Sequence, residues 1–184
     1  MGRLIGVAGG AAVMLAAWLA SVAGGVAAEA LGPVTRLPLP RYVSLNAAEV
    51  NVRRGPGTEY RRDWLFKRRG LPVRVIDEYG HWRRIEDHEG AGGWVYHALI
   101  SGRRTAVVVA EGVLLRAQPA GETGLASCAG LSGGEEALAC AEAGVVGRLR
   151  ACEAHWCEIE AEGYRGWVPK AAIWGADAEE TFER

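Results

Sequence analysis

The sequence predicts an all-β protein: two tandem small β-barrels, the second carrying a disulfide-closed loop insertion. Three observations point there. Landmarks recur in the same order about 74 residues apart. Beyond residue 30 the chain is written in short apolar or alternating runs, such as "VRVID", "WRRIED" and "GGWVY", broken by "GPG", "YGH" and "HEGAGG", the pattern of strands and turns. All four cysteines, an even number, fall in the second half.

The repeat organises the rest. Placing Gly70 on Gly144 sets His81 on His155, Trp82 on Trp156 and Ile85 on Ile159 without a gap. One deletion later "GGWVYHALI" falls on "RGWVPKAAI", matching Gly93 with Gly166 and Trp94 with Trp167. Upstream, "VNVRRGP" matches "VLLRAQP" if the second copy carries about 11 inserted residues. About five short strands in such a unit suit a small bent barrel, whose closure limits exposed edges. The insertion holds a short helix candidate around "GGEEALACAEAG".

The chain opens with an uncharged Ala- and Gly-rich run from Leu4 to Ala28, after Met1, Gly2 and Arg3. A basic start, an apolar centre and small residues before Glu29 read as a secretory signal peptide, residues 1–28. The run is also long enough for a membrane anchor. No second apolar segment approaches that length. Residues 29–40, with three prolines, read as an extended linker, and residues 176–184 as an acidic tail. The units are then residues 41–103 and 104–175, exported to the periplasm or secreted.

In "RRGPG" the glycines and Pro56 dictate a defined turn after the first strand. In "GGW" the Gly before Trp lets a neighbouring strand come close. With "LNAAEVNVRRGPGTEY", a strand pair bearing Trp at its turn, and "GGWVYHALI", the first unit resembles the bacterial SH3-like domain. The second is similar over "VLLRAQP" and "GVVGRLRACEAHWCEIEAEGYRGWVPKAAIWG". The second copy departs from the pattern: Leu114 replaces Asn51, "QPAGE" replaces "GPG", and the loop is longer. The resemblance implies binding of cell-wall (peptidoglycan) peptide or of an envelope protein segment.

In the aligned hairpins Cys152 and Cys157 take the places of Glu78 and Arg83. Residues five apart around a four-residue turn oppose one another on an antiparallel hairpin. One copy is expected to hold an ion pair where the other holds a disulfide, leaving Cys128 to pair with Cys140 across the insertion, one of three possible connectivities. Cysteines in an exported chain favour bridges. "CEAHWC" lacks the adjacent Cys-His of haem attachment and matches no common zinc spacing. No cofactor or metal is expected, and His81, His88 and His97 read as turn or surface residues.

Net charge is −1, unevenly spread. Residues 41–104 hold 13 basic and 8 acidic residues; residues 105–184 hold 6 basic and 13 acidic. Arg53, Arg54, Arg61, Arg62, Lys67, Arg68, Arg69, Arg83 and Arg84 make the first unit a candidate anion-facing surface; solvated strand faces, or attraction between the units, are the other explanation. Export makes nucleic acid an unsuitable partner.

No G-x-S-x-G, phosphate loop or catalytic constellation is written here, so the chain reads as non-enzymatic. Trp82, Trp94, Trp156 and Trp167 are candidates for core packing or for lining a groove. The candidate groove lies in the first unit: Tyr60, Trp64, Tyr79, Trp82 and Tyr96, with Arg54 and Arg62 reading carboxylates. Alternatives are a structural or assembly protein of the envelope with no small ligand, and a sensor that keeps its N-terminal segment as an anchor.

Overall fold

The computed structural model describes residues 30–119, 128 and 137–183. The expected signal peptide lies outside them, as does most of the inserted loop. The first unit contains β1 (Ala30–Leu31), β2 (Pro38–Leu39), β3 (Arg41–Leu45), β4 (Val50–Arg53), β5 (Arg62–Phe66), β6 (Pro72–Tyr79), β7 (Trp82–Glu86), β8 (Gly92–Tyr96) and β9 (Ile100–Ser101). The second contains β10 (Thr105–Val108), β11 (Gly112–Arg116), β12 (Ala137–Glu142), β13 (Val146–Cys152), β14 (Trp156–Ala161), β15 (Tyr164–Pro169), β16 (Ile173–Trp174) and β17 (Phe182–Glu183). Among the described residues the only helices are two single 3-10 turns, His97–Leu99 and Lys170–Ala172.

The units repeat one another strand for strand. The first sheet runs β5-β4-β8-β7-β6-β3-β9 and the second β12-β11-β15-β14-β13-β10-β16, with β17 added on β13. Inward positions along each strand build two separate cores. Val50, Val52, Val75, Ile85 and Val95 in the first match Val113, Leu115, Leu149, Ile159 and Val168 in the second. Among the described residues full closure is not reached: each ladder ends on a two-residue strand, β9 or β16, that pairs with one neighbour only. Both units therefore keep edge strands.

The Gly before Trp acts as expected. A Cβ at Gly93, whose φ is +151°, would lie 2.6 Å from the Arg53 carbonyl oxygen, and one at Gly166 would lie 2.9 Å from Leu115 Cβ. Only glycine admits β4 so close to β8, or β11 so close to β15.

Three expectations about flanking segments change. The helix candidate in the insertion is strand β12 where it is described, paired with β11 from Gly112↔Glu142 to Arg116↔Ala137. Cross-strand pairing and the Cys128–Cys140 bridge override the helix propensity of an Ala- and Glu-rich stretch. The expected extended linker, residues 29–40, is described from Ala30 onward and forms the β1–β2 hairpin with register Ala30↔Leu39. Its turn is held by Glu78: the carboxylate accepts from the Val34 and Thr35 amides at 3.1 and 2.8 Å and from Thr35 Oγ1 at 2.6 Å. The acidic tail is likewise docked, through β17 pairing Cys152↔Phe182 and through an Arg104–Glu180 ion pair.

The units meet across buried polar groups. Thr105 Oγ1 donates to the Gly70 carbonyl at 2.7 Å and lies 2.7 Å from Ser44 Oγ. The Tyr42 ring meets Trp174 edge-on at 5.0 Å, and the Arg104 guanidinium stacks over Tyr42 and Phe182 at 5.6 and 5.5 Å. Burial and the nearby Asp177 carboxylate raise the Tyr42 pKa, leaving a neutral phenol at the junction.

Candidate functional site

Parity along the strands decides which side chains face outward in the first unit. Val52 and Val95 are buried, so Asn51, Arg53, Trp94 and Tyr96 point to the other side of the sheet. Register then aligns Arg62, Arg53, Trp94 and Arg84 in one cross-strand row over β5, β4, β8 and β7. A second row runs Tyr79, Trp82, Tyr96 over β6, β7 and β8. The outer face is therefore aromatic and basic.

Between the rows lies a cleft of about 210 Å³ lined by Asn51, Arg53, Thr58, Trp82, Tyr96 and Leu99. Trp82 is half-buried and meets the exposed Tyr96 edge-on at 5.7 Å. The His97 ring lies 4.8 Å from Tyr96 and 5.5 Å from His81, extending the aromatic surface. Arg53 Nη1 donates to the carbonyls of Thr58 and Tyr60 at 2.7 and 2.6 Å, fixing the "GPGTEY" loop as one wall.

The structure gathers Trp82, Tyr96 and Tyr79 from the predicted set, while Arg62 stands on β5, two strands from Tyr96 and outside the lining of the cleft. Tyr60 is at the loop, its ring packed over Gly55 and its carbonyl held by Arg53. Trp64 belongs to the inner-face side of β5, its ring 6.3 Å from buried Phe66. Arg54 is drawn away: it and Arg61 pair with Asp63 at 2.9 and 2.7 Å, and these bonds hold the Asp63 carboxyl below its ordinary range. Arg83 is buried against Glu78, and Arg68 donates to the Gly144 carbonyl of the second unit. Arg62, Lys67, Arg69 and Arg84 keep no carboxylate partner among the described residues.

Sequence reasoning missed Asn51, Arg53, Trp94 and Arg84 as one surface. The available signal was parity: in "VNVRR" the valines alternate with Asn51 and Arg53, whereas Arg54 already lies past the strand. Of the four repeat tryptophans, only Trp156 is buried; Trp82, Trp94 and Trp167 are half-buried on the outer faces.

The equivalent face of the second unit has lost this character. Leu114 and Pro169 stand for Asn51 and Tyr96, and Leu114 is buried. Glu158 stands for Arg84 and is taken by Arg165 at 2.6 Å. Among the described residues no group of three or more His, Cys, Asp or Glu side chains could hold a metal.

Two copies of one small bent sheet, one of them presenting an aromatic and basic outer face, define a tandem arrangement of small all-β domains. The family model of the bacterial SH3 domain matches residues 46–102 and 130–175, more than half of the chain, and the protein belongs to that family. Its members are binding modules, often associated with the cell wall. No curated protein matches the chain. The second match begins after β10 and β11, which the insertion separates from the rest of their unit, yet both strands pair within the second sheet.

Proposed function

We propose that the protein is an exported, non-enzymatic binding module whose first domain takes a carboxylate-bearing peptide, of the cell wall or of an envelope protein, on its outer face. The observation that carries this reading is the Trp82–Tyr96 cleft, with Arg84, which has no carboxylate partner among the described residues, two positions along β7 from Trp82. An aromatic pair stacks on sugar or aliphatic ligand surface, Asn51 offers an amide, and Arg84 attracts carboxylates. The second domain acts as a support, since Glu158 and Arg165 neutralise each other where the first domain keeps Arg84 open.

Sedimentation with purified peptidoglycan tests it. Retention of the chain is expected, reduced roughly tenfold by Trp82→Ala, about 1.4 kcal/mol of lost contact. If neither form is retained, the peptidoglycan reading fails. A structural role in the envelope is the second reading, favoured by the buried Ser44–Thr105–Gly70 junction that fixes the domains together; a cross-linked protein partner without cell-wall retention would select it.

A further inference from the structure

The edge strand β5, RDWLF, differs in composition from its counterpart β12, ALACAE, which carries no basic residue. It pairs only with β4, so one whole side of its backbone has no strand partner among the described residues. Where β6 and β13 run on past β3 and β10, they are covered by the β1–β2 hairpin and by β17. Four of the five residues of β5 are exposed, including Trp64 at 48% and Leu65 at 39%. Residues 60–70 hold five bases, Arg61, Arg62, Lys67, Arg68 and Arg69, against Asp63 alone. Asp63 is already engaged by Arg54 and Arg61.

A free edge with exposed apolar side chains is a template for strand addition. The charge selects what can be added. Two copies of β5 laid antiparallel over their full length would bring Arg61 of each against Lys67 of the other, and like charges directly opposite are destabilising. An acidic strand would instead meet Arg62 and Lys67, which no carboxylate occupies among the described residues, while the apolar side chains of its other face cover Trp64. We propose that β5 receives an extended acidic segment of a partner protein as an added strand, at a surface separate from the Trp82–Tyr96 cleft.

The test uses the full chain and a dye-labelled short peptide alternating glutamate and valine, with a lysine–valine peptide as control. Saturable binding of the glutamate peptide alone is expected, weakened by salt and roughly tenfold by Arg62→Glu/Lys67→Glu, the size of a well-placed charge reversal. Amides of β5 should become protected from hydrogen exchange on binding. Trp82→Ala should leave this affinity unchanged; an equal loss would place the peptide in the cleft and overturn the proposal. It is overturned too if both peptides bind alike, if exchange in β5 is unaltered, or if sedimentation shows a dimer that Arg62→Glu abolishes, which would make the occupant a second copy.

Discussion

Glu78 and Arg83 oppose each other across the β6–β7 hairpin, Arg83 Nε 3.5 Å from Glu78 Oε1, at the register positions where the second domain places the Cys152–Cys157 disulfide. The loop between the strands is tighter than four residues, because Tyr79↔Trp82 also pair. In each domain this cross-link also marks where a flanking segment docks. Glu78 binds the N-terminal hairpin turn and Arg41, at 2.7 Å; Cys152 is the partner of Phe182 in β17. Gly32 approaches so closely that a Cβ there would lie 2.5 Å from Glu78 Oε2.

Removing the carboxylate should therefore cost more than one ion pair. Glu78→Ala leaves Arg83 buried with an unmatched charge and frees the hairpin, and a loss of about 3 kcal/mol is expected from denaturant unfolding. In Glu78→Cys/Arg83→Cys, the disulfide of the second domain is transplanted. Under oxidising conditions the sheet should recover, while residues 30–40 become sensitive to limited proteolysis. Unchanged proteolysis would show that the hairpin is held by something other than Glu78.

Burial pushes the Glu78 carboxyl upward, but bonds from Thr35, Arg41 and Val34 outweigh it and bring the pKa from 4.5 down to about 2. A depressed acid stabilises the fold above its unfolded pKa. The contribution is thus fully present above about pH 4.5 and lost as pH falls towards 2. Acid unfolding of the native chain and of Glu78→Gln should converge across that window, and parallel curves would contradict the assignment.

The disulfides act on the second domain alone. Loop-closure entropy gives about 2 kcal/mol for Cys152–Cys157 and about 3 kcal/mol for Cys128–Cys140. Reduction should lower the stability of the second domain, read as loss of amide protection in β13 and β14, while β6 and β7 keep theirs. Cys152 and Cys157 both belong to the buried core, so Cys152→Ala/Cys157→Ala adds a packing loss to the entropic one.

Trp82 and Trp156 are the same residue of the repeat in different surroundings. Trp156→Ala should cost about 3 kcal/mol of stability, since its ring is 6% exposed. Trp82→Ala should cost about 1 kcal/mol, with its main effect on ligand retention. Thermal unfolding of the two variants separates them, and equal losses would mean that the Trp82 ring serves packing.

Arg104 joins three parts of the molecule: the linker between domains, the Tyr42 ring of the first, and Glu180 with Phe182 of the tail. Arg104→Ala should cost about 2 kcal/mol and release β17, seen as faster exchange at Cys152 and Phe182. Glu180→Gln should give part of the same effect. Bonds from Arg104 overcome the upward push of burial and hold the Glu180 carboxyl below its ordinary range.

By itself the sequence determined the duplicated all-β unit, the turn and close-approach glycines, the matched core positions and the placing of Cys152 opposite Cys157 on one hairpin. These follow from local rules: period-two alternation, positions only glycine can fill, and hairpin partners a few residues apart. The tertiary structure decided what depends on residues far apart in the chain. It turned the leader and the tail into docked elements, through Glu78 and Arg104 reaching 43 and 76 residues along the chain. It made a strand of the Ala-rich insertion, and it chose which arginines remain open: Arg54 and Arg83 are spent on Asp63 and Glu78, while Arg62 and Arg84 join Trp82 and Tyr96 on one face. A run of arginines reads alike in one dimension; only strand register and the position of each carboxylate distinguish them.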